Sequence, residues 1–408
     1  EPVPGTNKYY LHSFHKDQPD LNWQNPVLRE EIYKMINWWL DKGIAGFRID
    51  AIINIKKDLE WRSLPSDREN GLVPVPESLV NAQSIEPFLQ ELNEQTFAKY
   101  NAFTVGEVFN ETDEELHFFI GKDGVFSSIF DFKQTGLGQK GKGWFDHTLP
   151  TAEELKESIF QAHERADSIG VLSTIIENHD EPRGVSHYIA EGPVNDTSKK
   201  ALGTIQVLRK GIPFIYQGQE IGMENQVFES VEDFDDIATI NGYHVAKEAG
   251  LSEEEALTVI ANYSRDNART PMQWTREPGL GFSDGPAWLI SPKPDYSINV
   301  EDQEKDPDSI LNYYRQLTAL YRHPLYGNTI RFGDMIPAYR DRENIIAFER
   351  RGDKRLLVIS NFQNRQATLE LPAPIKTLVL NNTAGLFQEG DQVLELAPYQ
   401  TVVLELVE

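Results

Sequence analysis

The sequence contains no cysteine, which excludes disulfide bridges, thiolate nucleophiles and metal sites held by cysteine. A protein without cysteine suits the reducing cytoplasm, so we expect a cytoplasmic location. The sequence also lacks any uninterrupted apolar run near the roughly 20 residues that a membrane-spanning helix requires. We therefore expect no membrane partner.

Positive charge is scarce in this chain. Its 408 residues include 39 lysines and arginines against 64 aspartates and glutamates, a formal net charge of -25 at pH 7. Such a surface repels phosphate backbones, so we expect no nucleic-acid partner, and a small neutral substrate fits the charge best. Acidity that serves only solubility is an equally good interpretation.

The N-terminal part of the chain shows an apolar helix pattern followed by an apolar strand. Asn25 suits a helix N-cap and Pro26 the first turn, and Gly43 ends the helix. Residues 44–49 then form a short, mostly apolar strand that ends at the charged Asp50. With 39% hydrophobic residues, the chain has enough apolar material for about two or three domains.

The same pattern of a helix and then a strand recurs along the chain. Helices are predicted at 86–99, 152–166 and 199–209, and strands at 103–107, 171–176 and 212–217, with 126–132 as a further candidate. This alternation predicts an α/β fold of parallel βα units, in which ligands meet the carboxyl ends of the strands. A doubly wound sheet would fit too, but no G-x-G-x-x-G follows a strand, so a barrel is preferred.

The pattern changes in the last part of the chain. Residues 224–288 are predicted to form a long insertion after the last barrel strand, and Asp308 is predicted to cap the final helix. Beyond Pro324, alternating runs separated by turn residues predict an antiparallel β domain. These runs lie at 345–349, 356–362, 367–371, 377–380 and 401–406. A small sandwich is preferred to an extension of one sheet.

Three carboxylates, those of Asp50, Glu107 and Asp180, come at the ends of predicted strands. Each alone could be a helix cap or part of a salt bridge, but the three together favour a functional site. Cleavage of a glycosidic link with retention needs one carboxylate to attack and one carboxyl to protonate the leaving oxygen, about 5 Å apart. Arg48 is expected on the same face as Asp50, where it would stabilise that carboxylate, form a structural salt bridge, or both.

Four short motifs occur in order along the chain. They are GFRID at 46–50, VGE at 105–107, NHD at 178–180 and RDNARTPMQW at 265–274. This ordered set resembles glycoside hydrolase family 13, specifically its oligo-1,6-glucosidase and α-glucosidase branch. QPDLNW at 18–23 looks like the lead-in to that family's nucleophile strand. Each motif alone is weak, but the set spans most of the chain and is highly specific.

The resemblance implies a retaining, exo-acting α-glucosidase that releases glucose from the non-reducing end of short α-linked glucosides through a covalent glucosyl-enzyme. By the same matching, Asp50 is the nucleophile and Glu107 the general acid/base. Asp180 is the carboxylate that distorts the sugar and stabilises oxocarbenium character. Arg48 and His179 would bind the terminal glucose, although a lone histidine is more often structural and His179 takes its role only from its neighbours.

The resemblance also bears on sugar contacts and on linkage. Arg265 would be a further sugar-contacting residue, and Arg269 in the same motif could be structural or share that role. The residue after the nucleophile is Ala51, where α-1,6-specific members often have Val, and its smaller side chain leaves more room beside the leaving group. We therefore expect action on α-1,4 links, with action on α-1,6 links left open.

Members of this family begin with three βα units and an inserted subdomain before the matched motifs. The resemblance thus predicts a partial (β/α)8 TIM barrel, about strands 4 to 8 with the N-terminal part missing, followed by an antiparallel β-sandwich domain. Residues 1–25 would be the tail of the inserted subdomain and lead-in, 26–325 the C-terminal part of the catalytic barrel, and 326–408 the C-terminal β domain. A missing N-terminal portion of the same enzyme would then be a partner. The family's calcium site would lie in that portion, so we expect no cofactor and no metal here.

Other activities fit the same residues. The site could isomerise sucrose, transfer glucose or hydrolyse trehalose 6-phosphate, although the last calls for a basic phosphate pocket that an acidic chain does not favour. A rival of another class is a noncatalytic binding subunit, as in the heavy chains of some amino acid transporters. Those proteins carry a membrane span and some lack the catalytic carboxylates, whereas all three carboxylates are present here.

Overall fold

The structure, a computed structural model, describes residues 1–60, 62–66, 71, 73, 82, 84–140, 145–190, 192–289, 296–385 and 387–408. Two compact units make up the chain. The first contains Glu1–Phe130 and Arg165–Leu172, and the second contains Asp131–Glu164 and Ser173–Glu408. None of the described residues belongs to a helix that is long and apolar enough to cross a membrane.

Helix α1, Pro26–Asp41, is the first regular element of the first unit. The Asn25 side chain caps the helix by accepting a hydrogen bond from the Val27 amide, as the Asn-Pro pair predicts. The helix buries Tyr33 and Ile36 in the core of this unit. The apolar pattern predicts this buried face only in part, because Met35 and Trp39, which belong to the pattern, are exposed.

The described residues of the first unit include three parallel strands. They are β1 (Gly46–Ile49), β2 (Phe103–Gly106) and β3 (Ser128–Phe130). β1 pairs with β2 so that Ile49 lies opposite Gly106, and β2 pairs with β3 so that Val105 lies opposite Ser128. The register brings the carboxyl ends of β1 and β2 to the same level.

The helices of the first unit depart from the sequence prediction at one point. After α1, the helices among the described residues of this unit are α2 (Glu86–Gln95), α3 (Phe97–Tyr100) and α4 (Asp113–Ile120). One continuous helix at 86–99 is predicted, and this is wrong at Thr96, which has φ -130° and ψ -87°. The Thr96 hydroxyl donates to the Leu92 carbonyl at 2.5 Å, and the Thr96 amide donates to the same carbonyl at 3.0 Å.

Two more parallel strands lie mostly in the second unit, as do their helices. The elements are α5 (Ala152–Ala166), β4 (Leu172–Thr174), α6 (Gly184–Tyr188), α7 (Asp196–Leu208) and β5 (Ile212–Pro213). Ser173 lies opposite Ile212 in the pairing of β4 with β5. Both strands are shorter than the predicted 171–176 and 212–217. β5 ends at Pro213, although the Phe214 amide still donates to the Thr174 carbonyl at 2.9 Å.

Much of the segment at 224–288 is helical. It contains α8 (Ile237–Glu248), α9 (Glu253–Tyr263) and α10 (Asp266–Arg269), and it is followed by α11 (Val300–Lys305) and α12 (Ile310–Leu320). The predicted cap of α12, Asp308, is wrong by one residue. Ser309 is the cap, because its hydroxyl accepts the Asn312 amide hydrogen at 3.2 Å.

The chain ends in an antiparallel β domain, which confirms the prediction from alternating runs. After α13 (Gly327–Phe332) come β6 (Asp334–Ala338), β7 (Ile345–Arg351), β8 (Arg355–Asn361), β9 (Ala367–Glu370), β10 (Ile375–Asn381), β11 (Val393–Leu396) and β12 (Thr401–Leu406). One sheet has the order β10-β12-β8-β7-β6, and β9 pairs with β11. Side chains from both sheets, such as Ile359 and Leu394, share one core. The sequence reasoning missed β6, which contains Pro337, and β11.

Candidate active site

Asp50 and Glu107 directly follow the paired strands β1 and β2. Because Ile49 lies opposite Gly106, and because Glu107 donates its amide hydrogen to the Ile49 carbonyl at 3.0 Å, the next residues along each strand lie side by side. The Arg48 guanidinium bonds to both carboxyl groups, through one Nη to Asp50 Oδ1 and through the other to Glu107 Oε2 at 2.7 Å. The first unit thus brings three of the predicted site residues together.

The two carboxyl groups differ strongly in exposure. The Asp50 side chain is 75% exposed, whereas the Glu107 side chain is 7% exposed. Burial raises the pKa of Glu107 above its ordinary value, and the Asp50 charge adds to this effect, while the Ala51 amide and the Arg48 charge oppose it. Glu107 is therefore the member of the pair that is suited to keep a proton, as a general acid must.

Two backbone features position this pair. Ala51 has φ 42° and ψ 34°, in the left-handed region, and its amide hydrogen is donated to Glu107 Oε2 at 2.8 Å. At Gly106, a Cβ atom would lie 2.6 Å from the ring of Phe126. Only glycine therefore allows the end of β2 to lie so close to that ring, one residue before Glu107.

Asp180 is the centre of a second group, in the chain that follows β4. Arg269 Nη2 donates to Asp180 Oδ1 at 2.6 Å, and Arg265 Nη1 donates to the same oxygen at 3.1 Å. His179 Nε2 lies 3.2 Å from the other oxygen, Oδ2. The second unit thus brings together the predicted His179, Asp180 and Arg265. Arg269, for which the sequence leaves two roles open, joins them.

Asp236, the N-cap of α8, holds Arg265 in position. Its Oδ1 accepts hydrogen bonds from Arg265 Nη2 at 2.6 Å and from Arg265 Nε at 2.7 Å. Burial acts to raise the pKa of Asp236, but hydrogen bonds from Arg265 and Thr239 outweigh burial and lower the pKa. The sequence reasoning missed Asp236, because it is one of many acidic residues in this segment and belongs to none of the motifs.

A buried ion pair supports the loop that carries His179 and Asp180. Glu177 Oε1 accepts from Arg183 Nη1 at 3.1 Å, and Glu177 Oε2 accepts from the Gly184 amide at 2.6 Å. Burial raises the pKa of Glu177, and the Arg183 charge opposes that rise. The sequence reasoning gave no role to either member of the pair, although both flank the NHD motif.

Arg183→Met is expected to lower the free energy of unfolding by about 3–5 kcal/mol, because Glu177 is then left buried without its cation. Urea unfolding followed by tryptophan fluorescence measures the change. The matched double variant, Glu177→Gln with Arg183→Met, removes both charges and should recover part of the loss. A single variant as stable as the wild type would contradict a supporting role for this pair.

Neither group of residues suggests a metal ion. Within the described ranges, no three or more His, Asp or Glu side chains come together in a way that could hold one. The Asp180 carboxylate is instead bonded to two arginines. The absence of a cofactor from the enzyme stays a prediction.

Comparison with known protein families decides the identity of the fold. Residues 4–325 match the family model of the alpha amylase catalytic domain, and residues 345–403 match that of the alpha-amylase SusG C-terminal domain. The chain belongs to the alpha-amylase family. The resemblance inferred from its ordered motifs is therefore confirmed, and this alpha-amylase family member is a glycoside hydrolase.

Relatives of this alpha-amylase family chain include the oligo-1,6-glucosidase of Halalkalibacterium halodurans, which is 38% identical over 98% of this chain and 72% of the relative. The probable oligo-1,6-glucosidase 3 of Bacillus subtilis is 36% identical over 97% of this chain and 71% of the relative. Among solved structures, the isomaltulose synthase SmuA from Protaminobacter rubrum matches with a TM-score of 0.91 and 30% identity. That match covers 100% of this chain and 73% of SmuA.

Proposed function

We propose that this chain provides the catalytic groups of a retaining, exo-acting α-glucosidase, which hydrolyses α-1,4 and/or α-1,6 links at the non-reducing end of short glucosides. The main support for the proposal is the pair of Asp50 and Glu107, whose side chains differ strongly in exposure. They lie at the ends of adjoining parallel strands, and the Arg48 guanidinium contacts both. A retaining glycosidase needs an ionised nucleophile beside a carboxyl that keeps its proton. The oligo-1,6-glucosidases among the relatives support the same reaction class.

In this proposal the Asp50 carboxylate attacks the anomeric carbon while Glu107 donates its proton to the departing oxygen. The glucosyl ester on Asp50 is then hydrolysed by a water molecule that gives a proton to Glu107. When the ester forms, Asp50 loses its charge and no longer disfavours ionisation of Glu107. The Arg48 charge remains, so Glu107 is then favoured as the base that the second step needs.

The Asp180 group is proposed to bind the terminal glucose. Asp180 would stabilise the positive charge that develops on the sugar ring, and His179 and Arg265 would bind its hydroxyl groups. Two arginines hold the Asp180 carboxylate in one orientation before substrate arrives. Such preorganised charge is an effective way to stabilise a transition state.

The parallel strands are proposed to be about strands 4 to 8 of a (β/α)8 barrel. Three of them lie in the first unit and two lie mostly in the second. The matched relatives are longer than this chain. The chain covers 71% of the length of one of them and 73% of the length of another. The divisions at 1–25, 26–325 and 326–408, the N-terminal portion of the same enzyme as a partner, and the cytoplasmic location stay predictions.

The full-length protein is expected to release glucose from maltose, because the small Ala51 side chain leaves room beside the leaving group, and from isomaltose, in line with the oligo-1,6-glucosidases among its relatives. An enzymatic assay of free glucose measures both rates. Ala51→Val should lower kcat/KM for maltose more than for isomaltose. Backbone strain from a β-branched residue at φ 42° would lower kcat/KM for both disaccharides alike. The measurement that decides is therefore the ratio of kcat/KM for maltose to kcat/KM for isomaltose.

Two outcomes would count against these assignments. Hydrolysis of isomaltose without any hydrolysis of maltose would remove the α-1,4 part of the proposal. Release of glucose from neither disaccharide, by a folded full-length protein, would remove the glucosidase function itself.

Sucrose isomerisation is the second candidate function, and the likeness to the isomaltulose synthase SmuA favours it. The two reactions differ in the fate of the fructose that leaves the glucosyl-enzyme. A hydrolase incubated with sucrose yields free glucose and fructose in equal amounts. An isomerase joins the two sugars again, so chromatography would show a new disaccharide instead.

A further inference from the structure

Two cations share one carboxylate oxygen in the Asp180 group. Arg265 and Arg269 both donate to Asp180 Oδ1, at 3.1 and 2.6 Å. Two cations beside one anion leave a net positive charge, which would repel a sugar ring that itself becomes positive. The group therefore needs a further anion if it is to stabilise such a ring.

Asp236 provides a further anion. Its Oδ1 accepts hydrogen bonds from Arg265 Nε at 2.7 Å and from Arg265 Nη2 at 2.6 Å, so only Nη1 is directed to Asp180. The Asp236 side chain is 2% exposed, and an ion pair that is shielded from water interacts strongly. The charge of Arg265 is thus balanced by Asp236, and the two aspartates and two arginines together carry no net charge.

The fold fixes the Asp236 carboxylate in place. Its Oδ2 accepts from the Thr239 amide at 2.9 Å and from the Thr239 hydroxyl at 2.8 Å, and the Asp236 amide donates to Asp266 Oδ2 at 2.9 Å. Burial acts to raise the pKa of Asp236, but hydrogen bonds from Arg265 and Thr239 lower it, so the carboxylate stays ionised near neutral pH. One oxygen therefore caps α8 while the other binds the arginine.

We propose that Asp236 is a positioning residue that acts through Arg265 and leaves the negative charge of Asp180 available to the sugar. The inference rests on the glucosidase function proposed above and deepens it, because it names the residue that sets the charge felt by the sugar. A neutral glucose is nearly indifferent to this charge, whereas a ring that becomes positive is stabilised by it. The balance therefore favours the transition state over the bound substrate.

The test measures two dissociation constants by titration calorimetry on the full-length protein. The ligands are glucose and the protonated form of 1-deoxynojirimycin, a glucose analogue with a cationic nitrogen in place of the ring oxygen. Asp236→Ser removes the charge but keeps a side chain that can cap a helix. We expect the ratio of the dissociation constant of the cation to that of glucose to rise about tenfold, because one nearby unit charge is lost in a medium of intermediate dielectric constant.

A double variant separates charge from structure. Asp236→Ser with Arg265→Gln removes one anion and one cation, so the charge balance returns. The ratio should then return close to the wild-type value, although both ligands bind more weakly without the Arg265 contact. Glu248→Gln removes a carboxylate from an exposed position in the same helix, α8, and is the matched control that should leave the ratio unchanged.

An unchanged ratio in Asp236→Ser would overturn the proposal. A ratio that stays equally altered in the double variant, or that changes as much in Glu248→Gln, would overturn it too, because a purely structural role predicts no recovery. If Asp236→Ser does not fold, Asp236→Asn takes its place, since asparagine also caps helices. A wild type that binds both ligands but releases no glucose from isomaltose would contradict the glucosidase function, and the ratio would still decide the role of Asp236. A wild type that binds neither ligand would overturn both.

Discussion

Glu107→Gln is expected to lower kcat/KM for isomaltose about 10²- to 10⁴-fold, because the departing sugar oxygen must then leave without a proton. For α-glucosyl fluoride, kcat/KM should fall much less, since fluoride is a good leaving group and needs no proton. The second step still lacks its base, so kcat for the fluoride should fall. Added azide, which attacks without losing a proton, should restore that rate and yield glucosyl azide.

The pH profile gives a second measurement of the same group. Burial raises the pKa of Glu107, so its acid form persists to higher pH than that of an ordinary glutamic acid. The wild-type kcat/KM for isomaltose should fall as pH rises through this pKa, and the Gln variant should lack that alkaline limb. Glu114→Gln, at an exposed position in α4, is the matched control and should behave like the wild type. Equal losses on isomaltose and on the fluoride would contradict the acid/base role.

The pairing of Asp50 with Glu107 can be predicted from sequence because it depends only on short sequence patterns around each residue. Each residue ends a short apolar run, and each run forms a strand that stops one residue earlier. Parallel strands that pair in register bring their carboxyl ends to the same level, so two local patterns are enough to place both groups. The contact of Arg48 with Asp50 follows from the alternation of side chains along a strand.

The supporting contacts could not be predicted in this way. The bond from Arg265 to Asp236 joins residues 29 positions apart, and the bond from Arg269 to Asp180 joins residues 89 positions apart. No periodicity of a helix or strand relates such positions, and they meet only once the chain has folded. Local exceptions are equally hard to predict, as at Thr96, where the helix is interrupted although its apolar pattern continues.

Asp50 is expected to carry the sugar during turnover, so a slow substrate should leave a glucosyl ester on it. In 5-fluoro-α-glucosyl fluoride, the ring fluorine disfavours oxocarbenium character and slows both steps, while the good leaving group still lets the first step proceed. Proteolysis and mass spectrometry should find the added sugar on the peptide that contains Asp50. Asp50→Asn should carry no label and release no detectable glucose. Its unfolding curve should stay near that of the wild type, because the side chain is 75% exposed.

The Asp180→Asn variant distinguishes the carboxylate that attacks the sugar from the carboxylate that stabilises the developing charge. It should slow the labelling, because Asp180 is proposed to stabilise developing charge, but the label should still appear on Asp50. A label on Asp180 in the wild type would exchange the two roles. If no residue is labelled and the glucose released first has the β configuration, there is no covalent intermediate. The same carboxyl pair would then have to act through a water molecule held between them, as inverting glycosidases do.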